Sequence, residues 1–142
     1  MTPQKQLFTS FLSLYRPYLN ELNTLLAPMN LTSPLWSILY FLHRTGPQTA
    51  GDISEHQYVE RPTVTKMLQR LHELGFIEAI SGDDKRVKII QLTDKGNDIC
   101  QQVQEKLDLY QQELVRDIPE EEQRLVARIL NTITKNITNG KG

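Results

Sequence analysis

Residues 60–93 read ERPTVTKMLQRLHELGFIEAISGDDKRVKIIQLT. The first part of this stretch repeats apolar residues at spacings of three and four, which predicts one buried stripe along a helix. The stripe consists of Val64, Met67, Leu68, Leu71 and Leu74. Gly75 follows where a glycine in the C′ position ends helices, so the helix is expected to stop there.

The opposite face of this predicted helix carries hydroxyls, an amide and cations. Its candidate contact residues are Arg61, Thr63, Thr65, Lys66, Gln69 and Arg70, and no carboxylate occurs from Arg61 to His72. Such side chains pair with base edges and phosphates in a DNA major groove. The alternative interpretation is an ordinary solvated helix face.

The rest of the stretch predicts a two-stranded hairpin. Residues 76–80 and 87–92 are rich in apolar and β-branched side chains, and the Ser-Gly-Asp-Asp-Lys-Arg segment between them is typical of a turn. Arg86, together with its neighbour Lys85, is expected to reach a minor groove or a phosphate. Asp84 is expected to hold the guanidinium of Arg86 in place by a charge-assisted hydrogen bond. A helix followed by a basic hairpin is the plan of a winged helix. A solvated hairpin tip is the alternative.

Composition limits the kind of protein this can be. A chain of 142 residues suits a single domain, and 39% hydrophobic with 23% charged residues is an ordinary globular balance. The net charge of −1 means that any nucleic-acid site must be a local patch. No apolar run is long enough for a membrane span and no signal peptide is evident. The single cysteine indicates a reducing cytoplasm.

Two helices are predicted before the quoted stretch, and a third leads into it. Residues 4–27 carry an apolar stripe at helical spacing, which predicts a helix. Pro17 lies in the middle of this segment and should kink the helix or split it in two. A second helix should begin near Thr32 or Ser33, stop at Gly46-Pro47 and lie buried at the centre. Thr49, with Asp52 three residues on, is expected to cap a helix of about two turns.

Two more helices are predicted after the wing. Thr93 and Asp94 should cap a helix that runs to about Asp117. Pro119 and three glutamates should open the last helix, whose apolar side is Leu125, Val126, Ile129, Leu130, Ile133 and Ile137.

The terminal helices predict a dimer. Residues 31–94 should close their own core, which leaves the apolar stripes of residues 4–30 and 94–138 without a partner in one chain. Such stripes favour a second subunit, and two-fold dimers are the commonest outcome. The alternative is that both ends fold back as extra core.

Several of these residues resemble a known family. Asp84-Lys85-Arg86, then Leu92-Thr93 and Lys95-Gly96, resembles the wing signature of MarR-type regulators. Thr63-Val64-Thr65 with Leu68, Arg70 and Leu71 resembles their recognition helix, and residues 31–36 resemble the start of their second helix. The likeness covers essentially the whole chain in order and length.

The resemblance implies an obligate homodimer on a palindromic operator in double-stranded DNA, with intertwined first and last helices. Family members usually repress transcription and are released by small phenolic or amphipathic ligands, or by cysteine oxidation. The ligand crevice implied by position lies near Tyr15, Tyr18, Trp36 and Tyr40, for which plain core packing is the alternative.

Other chemistry has little support in the sequence. Cys100 lies beside an apolar stripe, not near the N-terminus where oxidation-sensing relatives keep their thiol, so an inert buried thiol is expected. His43, His56 and His72 fall in different elements and lack the spacing of a helical metal site, so neither a metal nor another cofactor is predicted.

The sequence thus predicts a mainly α fold with a small β-wing: about six helices and a two-stranded hairpin, with residues 31–94 as the DNA-binding lobe. The predicted function is a dimeric, sequence-specific DNA-binding regulator, and the resemblance implies that it acts as a repressor. The alternatives are a winged helix that docks proteins and, with least support, a small enzyme, since no phosphate loop or nucleophile motif is found.

Overall fold

The computed structural model describes residues 1–84 and 86–140. This part of the chain divides into two compact units, one from Met1 to Leu107 and one beginning at Asp108. The elements are α1 (Pro3–Leu26), a 3-10 turn (Ala27–Met29), α2 (Ser33–Thr45), β1 (Gln48–Thr49), α3 (Ala50–Gln57), α4 (Arg61–Glu73), β2 (Ile77–Ser81), β3 (Lys88–Leu92), α5 (Asp94–Leu114) and α6 (Glu120–Gly140). The predicted mainly α fold with a small wing is confirmed.

Pro17 does not split α1, which runs unbroken from Pro3 to Leu26. A proline inside a helix removes the N–H that would bond to the carbonyl four residues earlier, here that of Ser13. Both residues lie on the exposed part of α1, so water can bind that carbonyl. Of the two expected outcomes, a kink or a split, the split was therefore wrong.

The junction between α1 and α2 is fixed by one side chain. The chain turns through Asn30, whose φ of 61° is left-handed. The Asn23 Oδ1 atom accepts the Ser33 N–H at 2.7 Å, which satisfies a free donor in the first turn of α2. The predicted start of α2, with Pro34 in its first turn, is confirmed.

α2 is the centre of the core of the first unit, as predicted. Ile38 and Leu39 are fully buried. The core reaches beyond residues 31–94, because Leu22 and Leu26 of α1 and Val103 of α5 are buried in the same cluster. The expectation that the winged-helix lobe closes its core alone was therefore wrong: both flanking helices contribute to it.

α3 begins at the predicted cap. The Thr49 hydroxyl accepts the Asp52 N–H and the Asp52 carboxylate accepts the Thr49 N–H, both at 3.1 Å, which is a capping box. Hydrogen bonding from Thr49, first from its backbone N–H and then from its side chain, lowers the pKa of the Asp52 carboxyl. Ile53 is fully buried and ties this short helix to the core.

The sheet has three strands where the sequence predicted two. β2 and β3 form the expected hairpin, with Ile77 opposite Leu92 and Ser81 opposite Lys88. β1 adds a two-residue edge, with Gln48 opposite Ile90, so the strand order is β1-β3-β2. A two-residue strand carries no alternation for a sequence pattern to reveal.

The second unit contains the end of α5 and all of α6. α5 ends at Leu114, three residues earlier than the predicted Asp117, and a turn leads to Pro119. The three glutamates lie in the first turn of α6 as expected, where the helix dipole favours acid. No residue of α6 is buried, so its apolar stripe is exposed in the single chain.

Among the described residues, no helix taken alone has both the length and the hydropathy to cross a bilayer. The segments Pro3–Met29 and Ser33–Thr45 pass that test of length and composition only as a pair, and they are bent by 76°.

Candidate DNA interface

α4 presents the predicted polar face to solvent. Val64 and Leu71 are fully buried and fix the rotation of the helix about its axis. All six candidate contact residues are exposed: Arg61, Thr63, Thr65, Lys66, Gln69 and Arg70. The exposed face is therefore free to enter a groove, whereas the contacts themselves stay a prediction.

Two of these residues already have partners within the helix. The Thr65 hydroxyl donates to the Arg61 carbonyl at 2.9 Å. Arg70 pairs with Glu73 at 3.7 Å, and both side chains are about half exposed. A surface pair of this kind contributes roughly 0–1 kcal/mol, so a phosphate could readily replace the carboxylate.

The end of α4 has the geometry expected from Gly75. The Phe76 N–H bonds to the Leu71 carbonyl and the Gly75 N–H bonds to the His72 carbonyl, at 3.0 and 2.9 Å. These two bonds define a Schellman motif, and Gly75 adopts the required positive φ of 82°. The motif reverses the chain within three residues and places β2 directly after the helix.

The tip of the wing is organised by Asp84. Its Oδ1 atom accepts the Arg86 N–H at 3.0 Å and lies 3.5 Å from the Arg86 Nε. The Arg86 side chain is 92% exposed, so the carboxylate orients the arginine without covering it. Lys85, the third predicted wing residue, lies outside the described residues.

One groove brings the helix and the wing together. Its volume is about 500 Å³. Its lining includes Arg61 and Thr65 of α4, Arg86 and Lys88 of the wing, and the first turn of α3 at Ala50 and Gly51. Three cations from two separate elements therefore face one concave surface.

Lys88 and the start of α3 were missed by the sequence reasoning. Lys88 could have been found because it follows Arg86 by only two residues in the cationic end of the turn. Gly51 offered no such signal, because only the folded chain brings it beside Arg61: a Cβ on Gly51 would lie 3.4 Å from the Arg61 Nη1.

Of the four aromatic residues predicted to line a ligand crevice, Tyr15, Trp36 and Tyr40 belong to two ring pairs. Trp36 is buried and its ring lies 5.5 Å from that of Tyr40, over which Arg44 sits at 5.2 Å. Tyr15 is exposed and pairs with Phe11 at 5.9 Å, whereas Tyr18 packs against the core. A shared crevice stays a prediction.

Cys100 is fully buried, and its thiol points to the Leu39 carbonyl at 3.8 Å. Burial raises the pKa of this thiol to about 11, so almost none of it is thiolate at neutral pH. The position is that of a packing residue, as the sequence indicated.

His56 stacks on Phe41 with ring centroids 3.9 Å apart. Burial, and then the charge of Arg44, lowers the pKa of this imidazole. Within residues 1–84 and 86–140, no three His, Cys, Asp or Glu side chains are grouped to hold a metal ion.

Comparison with known proteins concerns the family to which this chain belongs. The sequence pattern of the MarR family matches residues 31–88. An uncharacterised HTH-type transcriptional regulator of Bacillus subtilis is 34% identical over 107 residues, which are 75% of this chain and 78% of the relative. The chain belongs to the MarR family. It is a DNA-binding transcriptional regulator of that family.

Solved structures of MarR proteins share the fold. Staphylococcus aureus MarR, in complex with salicylate and kanamycin, is 29% identical with a TM-score of 0.87, over 96% of this chain and 93% of that one. A mutant MarR from Escherichia coli complexed with operator DNA is 24% identical with a TM-score of 0.77, over 90% and 93% of the two chains. At that identity the second likeness concerns the fold alone.

Proposed function

We propose that this MarR-family protein is a homodimeric repressor that binds a palindromic operator and is released by a small phenolic or amphipathic ligand. The observation that carries the DNA part is the groove in which Arg61, Thr65 and Arg86 face one surface. Because helix and wing present their cations to one side, a single duplex can contact both.

The residues divide between two tasks. Gln69, with Thr63, Thr65 and Lys66, reads base edges, since amides and cations pair bidentately with adenine and guanine in the major groove. Arg61 and Arg70 neutralise phosphates, and Arg86 neutralises a phosphate or enters the minor groove, where arginine is favoured. Lys85 belongs to the second group by its place in the sequence.

The dimer is supported by apolar side chains that one chain leaves in solvent. In α1, Phe8, Phe11 and Leu12 are 49%, 43% and 64% exposed. In α6, Leu125, Ile129 and Ile137 are 43%, 39% and 55% exposed. Long helices with uncovered apolar stripes are typical of subunit interfaces. A two-fold dimer would place paired recognition helices on half-sites about 34–36 Å apart, which a palindrome supplies.

Release by a ligand requires that the ligand prefer the arrangement that cannot bind DNA. The salicylate in the S. aureus MarR structure supports a phenolic acid as the first ligand to test. Tyr15, Tyr18, Trp36 and Tyr40 are the proposed aromatic surroundings. A protein that acts on the genome in this way is expected in the cytoplasm.

Selection of bound duplexes from a randomised DNA pool tests the DNA part. We expect enrichment of an inverted repeat with half-sites about one helical turn apart. Enrichment of a single unrepeated site would contradict the palindrome, and enrichment of no sequence would contradict specific recognition altogether. In vitro transcription from a promoter carrying the selected site, with and without salicylate, then tests repression and release.

Sedimentation tests the dimer. The wild-type chain should run as a dimer, whereas Ile129→Glu should produce monomer because it places a charge in the apolar stripe of α6. Asn131→Glu is the matched control, since it adds the same charge to the opposite face of that helix. A wild-type mass equal to that of one chain at every concentration would refute the proposal.

A further inference from the structure

The C-terminal end of α4 is bonded to the first turn of α5. The Thr93 N–H donates to the Phe76 carbonyl at 3.1 Å, and the Thr93 hydroxyl donates to the Gly75 carbonyl at 2.6 Å. The same hydroxyl oxygen accepts the Gly96 N–H at 3.0 Å, which caps α5. One threonine therefore begins α5 and holds the residues that follow α4.

Lys95 adds a third link. Its Nζ donates to the Leu74 carbonyl at 2.8 Å, across 21 residues of sequence. Its aliphatic stem lies over Gly75, where a Cβ would be 3.5 Å from the Lys95 Cδ, and its Nζ lies 5.4 Å from the centroid of the Phe76 ring. The lysine thus lies against Leu74, Gly75 and Phe76, the three residues that follow α4.

The charge of Lys95 favours α4 and opposes its own helix. A cation is unfavourable in the first turn of a helix and favourable at the last carbonyls of one. Lys95 occupies the first turn of α5, yet its ammonium is placed on the C-cap carbonyl of α4. The contact therefore stabilises the join between the two helices.

We propose that Lys95 is a positioning residue for DNA recognition, which it serves by fixing the C-terminal end of α4 against α5. The proposal rests on the proposed DNA function. α4 rises about 20 Å from Arg61 to Leu74, so a tilt of about 5° at the clamped end would move the Arg61 end by roughly 1.7 Å. Bidentate base contacts do not survive such a shift, whereas contacts to phosphates through long flexible side chains do.

The test compares Lys95→Met, which keeps the stem and removes the donor and charge, with Lys95→Arg, which keeps both. Lys106→Met is the matched control, because Lys106 is an exposed lysine on α5 about three turns farther along. Dissociation constants are measured for the selected duplex and for a random duplex across a salt series. Thermal unfolding midpoints are recorded for every variant.

We expect Lys95→Met to weaken binding to the selected duplex on the order of tenfold and to random DNA much less, so that discrimination falls. The dependence of log Kd on log salt should keep its slope, because a residue that acts by holding α4 is expected to make no phosphate contact. Lys95→Arg should restore discrimination, and Lys106→Met should match the wild type.

The following results would overturn the proposal. Equal losses on both duplexes with a slope lower by about one would make Lys95 a phosphate contact. A lower unfolding midpoint with unchanged discrimination would make it a structural residue only. Discrimination that arginine does not restore would remove the cationic donor as the cause. If the wild type itself selects no sequence, the proposed function fails and this inference fails with it. If the wild type selects a sequence and Lys95→Met discriminates between the two duplexes as well as the wild type does, the inference alone fails.

Discussion

Asp84 and Arg86 are joined at two points: the Asp84 Oδ1 accepts the Arg86 backbone N–H at 3.0 Å and lies 3.5 Å from the Arg86 Nε. An acid at the tip of a DNA-binding wing would ordinarily repel phosphates. The geometry gives it a second effect, because the carboxylate also fixes the turn from which the arginine projects. The two effects predict opposite outcomes when the acid is removed.

Asp84→Ala should weaken binding to all DNA, although it removes a negative charge. The reason is that the Arg86 backbone loses its acceptor and the turn loses its bonded conformation. Asp84→Asn is the control, since the amide oxygen can still accept that N–H, and its affinity should equal or exceed that of the wild type. Tighter binding by Asp84→Ala would show that simple repulsion outweighs orientation.

Arg86→Ala should weaken binding to selected and random DNA alike. Each phosphate contact releases counterions, so the slope of log Kd against log salt should fall by about one. Arg116→Ala removes an exposed arginine from the turn after α5 and serves as the control. An unchanged slope would mean that Arg86 makes no ionic contact with DNA.

Gln69→Ala should cost roughly 1–3 kcal/mol of discrimination at particular base pairs and leave binding to random DNA nearly intact. The exposed glutamine at position 101 on α5 provides the control variant, Gln101→Ala. The measurement is a set of dissociation constants for single-base changes in the selected duplex. Equal losses on every duplex would exclude Gln69 from the base-reading residues.

Gly96→Ala should destabilise the protein by about 1–3 kcal/mol, the usual range for overpacking. A Cβ on Gly96 would lie 2.0 Å from the Phe76 carbonyl oxygen, so α5 would have to move away from the end of α4. Replacing glycine by alanine within a helix normally stabilises a protein by about 1 kcal/mol. A loss of stability here would therefore be opposite in sign to the usual effect. Gly140→Ala, where nothing lies within 4 Å, should not destabilise. Urea unfolding of both variants gives the comparison.

Cys100 should make stability fall at alkaline pH. Burial raises the pKa of its thiol from 9.0 to about 11, so the unfolded chain ionises first as the pH rises. The contribution of the neutral buried thiol is therefore complete below pH 9 and is lost progressively between about pH 9 and 11. The difference in unfolding free energy between wild type and Cys100→Ala should shrink over that interval. A difference that stays constant would show that the thiol does not titrate differently in the two states.

The helices and the base of the wing could be predicted because their signals are local. The stripe of Val64, Leu68 and Leu71 set both the type of the element and the face it buries, and Gly75 marked its end by a backbone conformation that few other residues adopt. The three-residue spacing of Thr49 and Asp52, which a capping box requires, predicted the start of α3. Because the stripe predicted the buried face of α4, the residues on the opposite side were predicted to be exposed.

Contacts between distant parts of the chain were decided only by the fold. No pattern in two residues could show that Gln48 pairs with Ile90, and none could show that Lys95 reaches the Leu74 carbonyl. The groove that joins Arg61, Arg86 and Lys88 likewise depends on how the hairpin packs beside α4.

The sequence by itself determined the six helices, the two strands of the hairpin, most of their ends and which sides are apolar, because periodicity and capping act within a few residues. The tertiary structure alone decided the third strand, the share of α1 and α5 in the core, and the approach of Gly96 to Phe76. Those features are contacts between segments that lie tens of residues apart in the sequence. Their free energy depends on both segments together, so neither segment predicts it alone.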